Sequence, residues 1–216
     1  MADWVKHHGL QVLVATAVFV GAFQVDYAFF FTDNLGVVEP GRLIRSPQPE
    51  GEGWRVLEQF DIDQIINLRT REEDPRELAE TRQAARDAGA TVRHIPIAAR
   101  LPNLGQIEDF LFAARREGVT SLVHCQHGED RTGMLVAAWR VVVNGWSVRK
   151  AMAEMARYRA DTDRVDMRFL RKMLHQLRID RAYWLRKTDP TNVWVHRPGQ
   201  AQKGGLFRIA HRDGTL

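Results

Sequence analysis

The chain has 216 residues, 31 Lys and Arg against 27 Asp and Glu for a net charge of +4, 44% apolar residues and a single cysteine. Length and apolar share describe one globular core with room for an appendage. Acidic residues are interleaved with the basic ones almost everywhere, so no stripe suited to nucleic acid is expected, and one cysteine excludes both an internal disulfide framework and a Cys-rich metal site.

The amino terminus is a separate segment, taken here as residues 1–33. Val12 to Phe23 is uninterrupted apolar or small, Gln24 and Asp26 break the run, and Tyr27 to Phe31 is mostly aromatic. From Leu10 to Phe31 there are 22 residues, enough at about 1.5 Å per residue to cross a hydrocarbon core of roughly 30 Å. An N-terminal hydrophobic helix acting as a single-pass membrane anchor is the expectation, with the domain on the extracytoplasmic, periplasmic side. A secretory h-region behind Lys6, cleaved near Val20-Gly21-Ala22, and a buried soluble helix are the alternatives. The apolar residues surround this segment instead of forming one stripe, which argues against the buried helix.

From residue 34 to 187 short apolar runs alternate with longer periodic ones, the pattern of one α/β domain. Leu43-Ile44-Arg45 reads as a strand, followed by a Ser46-Pro47-Gln48-Pro49 loop and a helix with Trp54, Leu57 and Phe60 on one face. Gln64 to Leu68 is a second strand, and Pro75 to Ala88 a charged helix stopped by Gly89. Thr91 to Ile97 alternates as a strand, Pro102-Asn103 opens a helix that runs to Gly118, and Thr120 to His124 is the last strand. Three helical stretches follow: Thr132 to Val143, Ser147 to Arg159 and Val165 to Lys187. Strands separated by helices imply right-handed crossovers and a mostly parallel central sheet flanked by helices. Residues 188–216 have little periodicity and are expected to form a loose tail, with Trp194 and Phe207 as docking points.

The chemistry concentrates in residues 124–133, HCQHGEDRTG. Parallel α/β sheets bind ligands beyond the carboxyl ends of their strands, where Cys125 sits, just before a helix. Backbone N–H groups from Gln126 to Arg131, with the helix amino terminus near Thr132, can cradle a tetrahedral anion. Those amides and the neighbouring guanidinium also favour a thiolate, so Cys125 is expected to be nucleophilic. Gly128 permits the tight turn where a side chain would obstruct the anion. Arg131 offers a planar fork for phosphate oxygens. Thr132 places a hydroxyl where it can hydrogen-bond the sulfur. Gln126, His127 and Glu129 complete the substrate-facing loop, with His127 at its entrance and His124 ordering the loop.

The spacing H-C-x5-R-[ST]-G with a central Gly resembles the signature of the cysteine-dependent protein tyrosine and dual-specificity phosphatase superfamily. Chance would produce those six fixed positions on the order of once in 10^8 start points. EPGRLIRSPQP, DQIINLR, VRHIPI and SLVHCQHGEDRTG are similar, in order, to segments of small bacterial dual-specificity-like phosphatases over about residues 38 to 160. The resemblance implies the fold inferred above and phosphomonoester hydrolysis through a phosphocysteine, with neither metal nor other cofactor. Cys125 is then the nucleophile and Arg131 the transition-state clamp.

Many such enzymes take the general acid from an Asp on a separate loop about thirty residues before the cysteine. Here that stretch reads HIPIAARLPNLGQ, with no acid until Glu108 and Asp109 inside a helix. The acid role passes to Asp130, with Glu129 and Asp109 as alternatives, while Arg100 could meet a substrate phosphate. Glu129 and Asp130 would oppose a ligand carrying several phosphates. The expected partner is therefore a phosphorylated protein, phosphotyrosine first, or a small phosphomonoester. Inositol phosphates or phosphoinositides, and a membrane-tethered pseudophosphatase that binds phosphate without hydrolysis, remain as other readings. Nothing in the sequence sets an oligomeric state.

Overall fold

A computed structural model of the chain describes residues 34–73, 75–98, 101–163 and 166–192. Strands β1 (Gly36–Glu39), β2 (Leu43–Ser46), β3 (Gln64–Asn67), β4 (Thr91–His94) and β5 (Ser121–His124) form one sheet in the order β1-β2-β5-β3-β4. β2, β5, β3 and β4 are parallel, as the alternation of strands and helices predicts. β1 pairs antiparallel with β2 at one edge. Only four residues long and half open to solvent at Val37, this strand has no pattern that distinguishes it from a loop.

Each strand alternates its side chains between two layers. Leu43, Ile66 and Val123 face the larger core, against α3 (Leu104–Ala114), α4 (Asp130–Val142), α5 (Val148–Arg157), α6 (Met167–Ile179) and α7 (Arg181–Lys187). Ile44, Ile65 and Leu122 face the smaller one, against α1 (Val56–Gln59), which continues a 3-10 turn at Gly51–Arg55, and α2 (Pro75–Asp87). α3 starts at a capping box in which Asn103 and Gln106 satisfy each other's backbone N–H groups. α4 is buried on nearly every side, which is why Gly133 to Trp139 is apolar or small without a break instead of striped.

Two boundaries differ from the sequence pattern for physical reasons. The strand expected to reach Ile97 ends at His94 because Pro96 has no N–H, although the Ile95 and Ile97 amides still donate to Asn67 O (2.9 Å) and Leu68 O (3.0 Å). The single helix expected from Val165 to Lys187 is broken at Asp180, where the backbone leaves the helical region. The break turns Arg181 toward the carboxyl end of α4, whose Val142 and Val143 carbonyls accept from its Nε (2.7 Å) and Nη2 (2.9 Å). At the far end Thr188 is buried, its hydroxyl accepting from Arg115 Nη1 at 2.7 Å.

The apolar segment within residues 1–33, Arg100, Trp194 and Phe207 lie outside the described residues. Among the described residues no helix is long and apolar enough to cross a membrane.

Phe110 of α3 is fully buried and meets Trp139 of α4 edge-on, ring centroids 6.4 Å apart, so it joins the two helices that cover β5. Replacing Phe110 by Ala should cost about 3–5 kcal/mol, read as a lower urea midpoint with an unchanged m-value.

Candidate active site

Ser46 of β2 and Asn67 of β3 both pair with His124, so the chain leaves β5 for Cys125 between the ends of two neighbouring strands. A peptide unit is planar and trans, with its carbonyl and the following N–H pointing in opposite directions. Three successive carbonyls of the loop are held from outside. Gln126 O accepts from Gln48 N at 3.0 Å, His127 O accepts from Asn34 Nδ2 at 2.8 Å, and Gly128 O accepts from Arg45 Nη2. The amides of His127, Gly128 and Glu129 are thereby directed away from those partners, the arrangement of an anion nest. Inside the turn lies a cavity of about 80 Å³ lined by Cys125, Gln126, His127, Glu129, Asp130 and Arg131.

Gly128 is needed, but for a different reason from the one its position suggests. Its φ is +70°, and a Cβ there would stand 2.7 Å from both Ser46 O and Pro47 N. A side chain would thus strike the backbone after β2 and not the anion. Thr132 also departs from expectation. It is fully buried and does not line the cavity, and its hydroxyl makes no hydrogen bond to Cys125 Sγ or any other described atom.

Arg131 bonds to the described residues through Nη1 alone: to Glu73 Oε1 at 2.7 Å, Glu73 Oε2 at 2.9 Å and Ile97 O at 3.4 Å. Glu73 thus aims the guanidinium while leaving its Nε and Nη2 side for a ligand. Partial burial works to raise the Glu73 pKa, but the hydrogen bonds and charge of Arg131, the Thr70 amide and the charge of Arg69 outweigh it and hold the carboxyl below its ordinary value.

Beneath the loop, Arg45 is wholly buried and lies over the Tyr158 ring, its guanidinium carbon 3.6 Å from the centroid. Burial lowers its pKa to about 10, against the raising influence of Tyr158, Glu154 and Cys125, so it stays cationic at neutral pH. Gly36 makes the room for this stack, since a Cβ there would fall 2.1 Å from the Tyr158 hydroxyl. His124 is buried against Trp54, ring centroids 6.4 Å apart, with Nδ1 3.4 Å from Cys125 O. Desolvation, chiefly, lowers its pKa to about 4, so the imidazole is a neutral wedge at neutral pH.

The alternatives for a general acid separate clearly. Asp109 accepts from Arg93 Nη2 at 3.1 Å and Glu108 is paired with Lys187, and neither lines the cavity. Glu129 Oε1 accepts from Asn34 Nδ2 at 3.3 Å, and Asp130 Oδ1 accepts from the Asp161 amide at 3.3 Å. Glu129 and Asp130 are the carboxylates in the cavity wall.

Residues that sequence reasoning overlooked are those brought in from a distance: Asn34, Arg45, Gln48, Glu73 and Tyr158. Arg45 alone carried a signal, as a cation inside a buried apolar strand, where charge requires a partner.

A family model described as DSP-PTPase phosphatase fused to NAD+ kinase matches residues 25–172. The chain belongs to this phosphatase family. It is 30% identical over 124 residues to TpbA, a dual specificity protein phosphatase of Pseudomonas aeruginosa strain UCBPP-PA14, over 57% of this chain and 54% of TpbA. The chain thus spans about half the length of the curated relatives it matches. Among solved structures it is similar to Tk-PTP, with a TM-score of 0.56 and 25% identity over 69% of this chain and 97% of that one. It is also similar to P. aeruginosa TpbA in a complex with pTyr, with a TM-score of 0.54 and 27% identity over 69% and 91% of the two chains. The PP-IP phosphatase SIW14 of S. cerevisiae shares the fold, with a TM-score of 0.57 at 21% identity over 71% and 95%.

The neutral His124 carries a pH signature. Its folded pKa lies below the unfolded value, so the unfolded chain binds a proton first and stability falls as pH drops from about 6.5 toward about 4. The loss amounts to roughly 3 kcal/mol. Chemical denaturation at several pH values should show this slope in the native protein and not in His124→Gln.

Proposed function

We propose that the chain hydrolyses phosphomonoesters through a phosphocysteine formed on Cys125, with phosphotyrosine or phosphoserine in a protein as the preferred substrate. The observation that carries the reading is Arg131, clamped to Glu73 through Nη1 with its other face toward a cavity that contains Cys125. Loop amides on the same turn complete a cradle for three phosphoryl oxygens.

Sγ of Cys125 attacks phosphorus in line, the ester P–O bond breaks, and Asp130 protonates the departing oxygen to release an alcohol or phenol. Arg131 and the amides of His127, Gly128 and Glu129 meet the equatorial oxygens, where charge is spread in the transition state. Water then attacks the phosphocysteine, its proton passes back to Asp130, and the S–P bond breaks to return the thiolate and release phosphate. Gln126 and His127, both exposed, form the rim against which the substrate's remainder lies.

The acidic wall favours a ligand with one phosphate. Glu129 and Asp130 line the cavity, and the carboxylate that Arg131 bonds is Glu73. TpbA in complex with pTyr supports this preference by likeness. Inositol phosphates are the second reading, favoured by the shared fold of SIW14 alone.

Cys125→Ser should abolish phosphate release from p-nitrophenyl phosphate while retaining phosphotyrosine peptide binding. Arg131→Lys should lower kcat by about 10²-fold or more, since a point charge does not reproduce the fork. Asp130→Asn should lower kcat and flatten the basic limb of its pH profile. A full rate with that limb unchanged would remove Asp130 from the mechanism, and a native protein that binds phosphotyrosine peptide but releases no phosphate would identify a pseudophosphatase. Faster turnover of soluble inositol phosphates than of phosphotyrosine peptide would reverse the substrate order.

We also propose that the apolar stretch Leu10–Phe31 tethers the domain to a membrane, with the catalytic part on the extracytoplasmic side. The support is the length and all-round apolar character of the stretch. A reporter fused after residue 35 should be accessible to protease from outside; protection there would invert the topology, and release of the reporter into the soluble fraction would indicate cleavage.

A further inference from the structure

A groove of about 500 Å³ runs between α5 and α6, away from the cavity described above. Its walls carry Arg149 from α5 and Arg171, His175 and Arg178 from α6, over an apolar floor that includes Met152; Thr162 stands at one end. Among the described residues no carboxylate lines it and none of the three arginines pairs with one. α6 has no acidic residue anywhere between Met167 and Ile179, while Arg168 and Lys172 add to its exposed charge. Glu154, on the facing helix, is already held by Arg140 at 2.7 Å.

The groove is joined to the active site by the turn between the two helices. The Asp161 amide donates to Asp130 Oδ1 at 3.3 Å, and the next residue, Thr162, closes the end of the groove. A substrate chain leaving the cavity past Asp130 therefore has a basic trough ahead of it. The trough is concave and follows α5 from Ser147 to Ala156, about 14 Å at the helical rise, the length of about four extended residues. A flat bilayer surface would not enter it, and an extended peptide would.

We propose that the α5–α6 groove binds acidic residues flanking the phosphorylated residue of a protein substrate, so that the domain prefers phosphosites set in acidic sequence. This rests on the phosphatase reading and names its substrate class. It also separates two opposite electrostatic demands, because the cavity wall is acidic at Glu129 and Asp130 while the groove is basic. Asp161 and Asp163 lie at the junction, so acids immediately beside the phosphorylated residue gain nothing. The favoured positions are roughly three to seven residues away, on one side only, at about 3.3 Å per extended residue.

The test compares phosphotyrosine peptides with four Glu at those positions, on the amino or the carboxyl side, against Ser in the same places. It uses the native protein and the double variant Arg171→Glu, Arg178→Glu. The native protein should favour one of the two acidic peptides by about tenfold in kcat/KM, through KM and more strongly at low salt. The double variant should lose or invert that preference while turning over p-nitrophenyl phosphate at the native rate. If native and double variant treat all peptides alike, the groove is not a substrate site. If the double variant loses only binding to vesicles containing phosphatidylserine, the surface belongs to a membrane and the proposal fails. A native protein without phosphate release would defeat the catalytic reading instead, and anisotropy of the same labelled peptides would still decide the groove.

Discussion

Everything at this site depends on three carbonyl oxygens being turned outward. An anion nest forms only if successive amides point inward, and inward amides require that the carbonyls paired with them in each peptide unit be satisfied elsewhere. Here Gln48, Asn34 and Arg45 meet that requirement for residues 126, 127 and 128. All three donors precede β3 and lie on or around β1 and β2. This gives the edge hairpin a purpose: β2 must lie beside β5 for Arg45 and Gln48 to reach the loop, and the antiparallel β1 covers what would otherwise be an open edge of β2. Gly128 follows from the same packing, since the backbone after β2 occupies the space its side chain would need.

Charge around the loop is arranged in layers. Below it a buried guanidinium, Arg45, is stacked on Tyr158; beside it Arg131 is held by Glu73; at the rim stand Glu129 and Asp130. This buried cation has a carbonyl and an aromatic face for partners, and it also feels the charges of Glu154 and Cys125. An anionic ligand in the cradle would add to that compensation. The neutral His124 fits the same scheme: burial first, and then the charge of Arg69, keep a further cation from forming at the base of the loop.

The loop from Cys125 to Arg131 was legible because its chemistry is local: thiol, glycine, carboxylates and guanidinium all lie within seven residues, and the strand before them and the apolar helix after them are among the clearest patterns in the chain. The parallel sheet was legible for a similar reason, through alternation of element types. What the sequence did not disclose depends on contacts between distant positions. Glu73 meets Arg131 across 58 residues, and Asn34 meets His127 across 93. Neither a short acid-rich loop nor an asparagine near the domain's start has a periodicity that could announce such a partner. β1 and the break at Asp180 were hidden for the complementary reason, that both are decided by what docks on them instead of by the residues within them.

The position of Asp130 has a further consequence. On the proposed mechanism the acid stands next to Arg131 in the first turn of α4, a helix buried on nearly every side, and so moves with the cradle. An acid on a separate loop could enter after the substrate and leave before the product; one on α4 cannot. Its orientation must be set by neighbours, and the Asp161 amide is one of them. The turn between α5 and α6 thus meets the acid on one side and the basic groove on the other, and a chain seated in the groove would press on the segment that orients Asp130. Placing the acid on a rigid helix removes loop closure as a means of selecting substrates, and leaves selection to the surfaces that border the cavity.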